Sequence, residues 1–334
     1  MSVLQEPSEY VLLPWQQAVW ERLWQTHRNQ RLPHGLLITG PSGMGKLRFA
    51  RCLAQALFCR HPSDQGIPCG QCRSCRLFVV GTHPDYHLIE PEEDGKTQVI
   101  KVDAIRELSE RGILTSTSGG QKVIVIAPAD RMNTAAANSL LKTLEEPVPA
   151  TLLVLVSSQP HRLPATVRSR CQRSEIWAPR VQASTWLAQQ SQHPQPELLL
   201  DLAGGSPLTA LALAEPGVLG ERAEMLAEFS KCLYGRQDPV ALAERWSHLE
   251  PLRVLNWISG WLLDMLRLKH SPAAALFNSD ERDNLYALAT RADSKRLYRL
   301  LDEVLGGRRE VTSTLNKQLL LESILITWVE CRSH

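Results

Sequence analysis

Nowhere in these 334 residues is there an apolar run of about 18, the length a membrane helix needs. The first residues include Glu6 and Glu9 and no basic stretch ahead of an apolar core. No secretory leader is therefore expected, and the chain is placed in the cytoplasm without a membrane partner. Net charge is lacking too: 37 Lys and Arg stand against 35 Asp and Glu, a formal +2. So even a balance gives no general attraction to nucleic acid, and contact with DNA has to come from a local patch or through partners. What remains is an ordinary composition, 43% hydrophobic, which at this length supplies two or three domains with sizeable cores.

Two smaller absences are more telling. Gly40-Pro41-Ser42-Gly43-Met44-Gly45-Lys46-Leu47 follows the pattern G-x-x-x-x-G-K-[ST] up to its last residue. In such a loop the glycines let backbone N–H groups wrap phosphates, the lysine reaches the β and γ oxygens, and the final hydroxyl holds Mg2+. Leu47 has no oxygen to offer. The apolar stretch before the loop and the helical spacing of Leu47–Phe58 after it give the strand, loop and helix order a phosphate loop requires. A plain glycine-rich turn is the weaker reading. A hydrolysing site also needs a buried strand that ends in carboxylates. Lys122-Val123-Ile124-Val125-Ile126 has the β-branched character of a central strand, yet it runs on into Ala127-Pro128-Ala129-Asp130. Asp130 comes late, by about 10 Å of extended chain at roughly 3.3 Å per residue. Both missing groups serve the same ion, so ATP and Mg2+ are not expected to bind productively. Gly40, Gly43, Gly45 and Lys46 leave room for nucleotide without the metal.

Cysteine, by contrast, is clustered. In a cytoplasmic protein eight thiols are read as metal ligands or packing groups before disulfides. Cys59, Cys69, Cys72 and Cys75 give C-x9-C-x2-C-x2-C, with Gly66, Pro68 and Gly70 turning the chain around them. Steps of C-x2-C bring two sulfurs to one ion, and four thiolates suit tetrahedral Zn2+ with no open position, so a structural zinc module over 59–75 is expected. Four reduced thiols in a surface loop are the alternative. Cys52, Cys171, Cys232 and Cys331 stand alone and are expected to pack in cores.

Up to about residue 178, short apolar runs alternate with helical patterns. This predicts a parallel α/β sheet with strands at Leu36–Thr39, Tyr86–Ile89, Val123–Ile126 and Leu152–Val156. Residues 133–146 read as a helix with Asn133 as N-cap and Pro147 as its stop. Its acidic end, Glu145 and Glu146, caps no obvious cation, and the helix reads as a packing or interface element. After Pro179 strand patterns cease. Residues 179–216 predict a small helical lid, with a loop at 191–196 and a break at Gly204-Gly205-Ser206-Pro207. Residues 217–334 carry longer amphipathic helices: Leu252–Leu268 with Trp257, Trp261, Leu262 and Met265, and Leu315–Val329 with Leu319, Leu320, Ile324 and Trp328. Such stripes suit an internal core and equally a helix-to-helix contact with another chain.

The loop, the cysteine quartet, Thr143-Leu144-Glu145-Glu146-Pro147 and Ser169-Arg170-Cys171 together resemble the clamp-loader branch of the AAA+ ATPases. The match is close over the first 178 residues, weaker over the lid, and one of length and character beyond. The resemblance implies an AAA+ P-loop α/β domain with a zinc-binding insert, a lid, and an all-α collar through which subunits join a hetero-oligomeric ring, expected to be pentameric. It implies that Arg170 reaches the ATP of a neighbouring subunit and steadies charge developing on the γ-phosphate, with Ser169 positioning it. A guanidinium, a fixed and permanently charged fork, suits phosphate oxygens. Active members carry Ser or Thr at the place of Leu47, an Asp-Glu pair at Ala127 and Pro128, and a lid arginine at Leu208. All three departures concern ATP, and the finger survives them. The expected function is a non-hydrolysing clamp-loader subunit, a component of a DNA polymerase holoenzyme, that helps load the sliding clamp and meets clamp and primer–template DNA through the assembly. A self-sufficient ATPase that uses Asp130 is one alternative. A zinc-dependent DNA-binding module that uses Arg73 and Arg76 is the other.

Overall fold

The structure, a computed structural model, describes residues 12–91, 99–110, 120–310 and 316–332; Glu6, Glu9 and Leu315 lie outside them. The chain divides into two units, one running to Ala183 and the other beginning at Ser184.

The first unit is built on five strands, β1 (Gly35–Thr39), β2 (Tyr86–Ile89), β3 (Lys122–Ile126), β4 (Thr151–Ser157) and β5 (Gln172–Glu175). All pairings are parallel, in the order β2-β3-β4-β1-β5. Helix α1 (Gln17–Arg28) precedes the sheet, α2 (Lys46–Phe58) and α3 (Arg73–Val79) follow β1, and α4 (Val102–Glu110), α5 (Thr134–Glu145) and α6 (Ala165–Arg168) lie further along. Strands β1 and β3 are buried along their whole length, as a parallel sheet covered on both faces requires. On one face Leu37, Ile124, Ile126, Leu153 and Leu155 pack with Ile105, Ala136, Leu140 and Leu144 from α4 and α5. Helix α2 packs on β1 and β4, and its Phe49 meets Trp20 of α1 edge to face at 5.9 Å. Asn133 caps α5 as expected, its side chain accepting the Ala136 N–H at 2.7 Å.

Strand β5 is the one the sequence pattern does not show. Gln172-Arg173-Ser174-Glu175 has no apolar residue, and Ser174 alone of the four is buried. Backbone pairing makes it a strand, from Leu36 opposite Gln172 to Thr39 opposite Glu175. It lies at the sheet edge, where polar side chains can face water.

The described residues from Ser184 onward contain helices and no strand. They are α7 (Arg180–Ser191, which starts in the first unit), α8 (Pro196–Leu202), α9 (Pro207–Leu213), α10 (Val218–Leu233), α11 (Pro239–Trp246), α12 (Pro251–His270), α13 (Arg282–Arg291), α14 (Ser294–Glu310) and α15 (Lys317–Glu330). Helix α12 packs on α13 and α14, and α15 on α10, α11 and α14. Phe229 and Trp328 stack at 4.3 Å, Trp261 lies 5.5 Å from Phe229, and the Trp328 indole N–H donates to the Phe229 carbonyl at 2.8 Å. Trp257, Trp261, Leu262, Met265, Ile324 and Trp328 are thus core of this unit, while Leu319, 60% exposed, points outward. Arg222 is buried in the same unit, where Asp280 and Asn278 accept its N–H groups at 2.8 and 2.7 Å, as a buried cation requires. No helix among the described residues is long and apolar enough to cross a membrane.

Candidate functional site

In a parallel sheet the carboxyl ends of the strands share one edge, and here that edge gathers the glycine loop after β1, Ala127–Asp130 after β3 and Ser157-Ser158 at the end of β4. Gly40 has φ +142°, and a Cβ there would stand 2.1 Å from the Ile176 carbonyl oxygen. Only glycine fits. Gly40→Ala is expected to destabilise the first unit by about 3 kcal/mol, combining left-side backbone strain with overpacking. An unchanged urea midpoint for that variant would contradict this packing.

Lys46, at the start of α2, is turned onto its own loop. Its Nζ donates to the Pro41 carbonyl at 2.6 Å and to Ser158 Oγ at 2.9 Å, and the residue is 6% exposed. Burial brings its pKa down to about 8, against the opposing pull of the Asp130 carboxylate. Behind the loop, the Met44 carbonyl accepts from the Trp15 indole at 3.1 Å and from the Gln16 amide at 3.0 Å, and the Gly45 carbonyl accepts from the same amide at 3.0 Å. The sequence pattern gave no hint of this strut. Ala127, buried, and Leu47, half-buried, have hydrocarbon side chains and bring no side-chain oxygen to the loop. Asp130, the carboxylate that comes late, is buried and engaged elsewhere. Its Oδ1 accepts from the Ser157 hydroxyl, from Ser158 N–H at 3.0 Å and from Gln159 N–H at 3.4 Å. It ties the segment after β3 to the end of β4.

The cysteine module leaves the end of α2 and returns through α3. The sulfurs of Cys59, Cys69, Cys72 and Cys75 all lie within 4.8 Å of one another. Tetrahedral zinc with bonds of about 2.3 Å sets thiolates roughly 3.8 Å apart, so donor set and span both suit a metal ion. Backbone N–H groups point at the sulfurs, from Cys69 to Cys59 at 3.2 Å, Cys72 to Cys69 at 3.4 Å and Cys75 to Cys72 at 3.5 Å. Against the upward push of burial, the N–H groups of Arg60 and Cys75 and the adjoining thiols bring Cys72 to about 6. Burial holds Cys59 and Cys75 above the ordinary thiol range. A dication among them would favour the thiolate of all four. The module rests on α1, where the Trp20 and Trp24 indoles donate to the Gln65 and Asp64 carbonyls at 2.8 and 3.0 Å. Of the isolated cysteines, Cys52, Cys232 and Cys331 are buried as expected and Cys171 half-buried.

Ser169 and Arg170 follow α6 and are exposed. Ser169 Oγ donates to the Thr166 carbonyl at 3.1 Å, and Arg170 Nη1 donates to the same carbonyl at 3.0 Å. Arg170 Nη2 lies 2.7 Å from Glu145 Oε1 at the end of α5. The reading that this acidic end meets no cation is therefore corrected. Its partner lies far along the chain, beyond the reach of a local pattern.

A family model described as DNA polymerase III, delta subunit matches residues 15–179, and one described as DNA polymerase III, delta subunit, C terminal matches residues 216–330. DNA polymerase III subunit delta' of Pseudomonas aeruginosa is 38% identical over 325 residues, 95% of this chain and 97% of that protein. Its namesake in Escherichia coli is 35% identical over 318 residues, 94% of each chain. Among solved structures, a DNA polymerase III gamma subunit-related protein of Thermotoga maritima aligns over 95% of this chain and 99% of its own, at 17% identity and a TM-score of 0.46.

Proposed function

The chain belongs to the delta' family of DNA polymerase III subunits, and from that premise we propose that it is a non-hydrolysing clamp-loader subunit whose arginine serves a neighbour's ATP. In this reading residues 1–178 form the AAA+ domain with a zinc module at 59–75, residues 179–216 the lid, and residues 217–334 the collar that joins a hetero-oligomeric ring, expected to hold five subunits. Arg170 enters the adjoining ATP site, positioned by Ser169. The subunit meets the sliding clamp and primer–template DNA through the assembly.

One observation carries the idle half of the proposal. Lys46 is bonded inward to Pro41 and Ser158, at an edge where Leu47 and Ala127 present no oxygen. A loop in that state offers a triphosphate neither its cation nor a seat for Mg2+. The self-sufficient ATPase has Asp130 as its metal ligand, and that carboxylate is bonded to three successive residues at the end of β4. Cys59, Cys69, Cys72 and Cys75 would hold zinc, which supplies cross-linking of the insert and no chemistry on substrate.

The purified chain is expected to turn over ATP well below about 1 s⁻¹, the low end of ordinary enzyme rates. Sustained turnover above that rate, without companions, would overturn the proposal in favour of the self-sufficient ATPase.

A further inference from the structure

We propose that Glu145 is a positioning residue for Arg170: in the chain alone it holds the guanidinium against α5, and phosphate oxygens of an adjoining subunit must draw the fork away from it. This rests on the reading of Arg170 as a finger in trans. Two of the guanidinium nitrogens are turned to this chain's own acceptors, Nη2 to Glu145 at 2.7 Å and Nη1 to the Thr166 carbonyl at 3.0 Å. An arginine bound in this way presents less of its fork to a phosphate than a free one.

The pairing is set by packing beneath it. Glu145 is the last residue of α5, Arg170 follows α6, and the two helices pack on each other. Both segments close over Gly35 in β1, where a Cβ would stand 3.0 Å from Leu144 Cδ2 and 3.2 Å from the Arg170 carbonyl oxygen. The acid and the base are thus brought together by their backbones. The side chains themselves are partly open to water, 37% and 50% exposed. Exposed ion pairs hold by a factor of a few at most. Such a hold biases the resting arginine, yet it yields to a triphosphate, which offers several charged oxygens where Glu145 offers one carboxylate.

Glu145→Gln keeps the shape and removes the charge. In the reconstituted loader, without clamp or DNA, this variant is expected to raise basal ATP turnover two- to fivefold. Combined with Arg170→Ala, it should add nothing to the effect of the alanine alone, because the acid acts only through the arginine. In the free subunit, the Arg170 guanidinium should rotate a few-fold more slowly in the natural chain than in Glu145→Gln, as read from its side-chain N–H resonances. This measurement needs no assembly and tests the hold directly. If Arg170→Ala lowers turnover while Glu145→Gln leaves it unchanged or lowers it, the hold is refuted and the finger stands. If turnover ignores Arg170→Ala, the finger reading fails and this inference falls with it. Equal Arg170 rotation rates in both free chains would also overturn it.

Discussion

Arg170→Ala is expected to lower the ATP turnover of the reconstituted loader tenfold or more in the presence of clamp and primed DNA. Tenfold is about 1.4 kcal/mol of barrier. An arginine finger at a single site is worth roughly 10³ to 10⁵ in rate, and a tenfold fall for the whole ring follows if the other sites turn over in step with this one, since independent sites would keep most of the rate. The loss cannot be assigned to misfolding, because Arg170 is exposed and its pair with Glu145 is a surface contact of the kind worth under about 1 kcal/mol. The variant should therefore keep its melting temperature. Arg170→Lys separates charge from geometry. A lysine keeps the positive charge but lacks the planar fork that meets two phosphate oxygens at once, so an intermediate rate is expected. A natural rate for Arg170→Ala would remove the finger from the mechanism. A lysine variant as fast as the natural chain would show that charge alone is needed.

What could be read from the sequence was whatever has a short-range cause. The four hydrophobic strands, the cap at Asn133 and the glycine loop are each encoded within a dozen residues, through short apolar runs, a side-chain acceptor and positive φ. The cysteine cluster was legible for the same reason, since three ligands spaced three apart and a fourth ten residues before them need no long-range contact to come together. The state of Lys46 was not legible. Its partner Ser158 lies 112 residues away on the end of β4, and only the strand order β3-β4-β1 brings the two together. The same order places Asp130, whose late position already left it only an alternative metal ligand, where it bonds to Ser157, Ser158 and Gln159. Strand β5 and the Glu145–Arg170 pair escape a sequence reading for one physical reason: polar residues acquire their place from pairing and packing, and their own pattern is indistinguishable from a solvated loop.

Removing metal from the cysteine module should have the largest effect on stability. The natural chain is expected to carry one equivalent of zinc, and Cys75→Ser should abolish it, since Cys75 is the most deeply buried of the four and lies in the first turn of α3. Losing a structural metal belongs with the changes that cost about 4 kcal/mol or more. At roughly 2–4 °C per kcal/mol for a domain of this size, the melting temperature should fall by about 10 °C. The damage should also spread along a defined route. Trp20 and Trp24 hold the module through the Gln65 and Asp64 carbonyls, so unfolding of 59–75 would leave two indole N–H groups on α1 without those partners. Helix α1 follows directly on Trp15 and Gln16, whose side chains hold the Met44 and Gly45 carbonyls of the glycine loop. Proteolysis in chelator should therefore open the chain first between Cys59 and Cys75 and then loosen the loop, while the helical unit from Ser184, with its own core around Trp261 and Trp328, stays protected. Full thermal stability in a chain without zinc would mean that the four thiols need no ion to keep their fold.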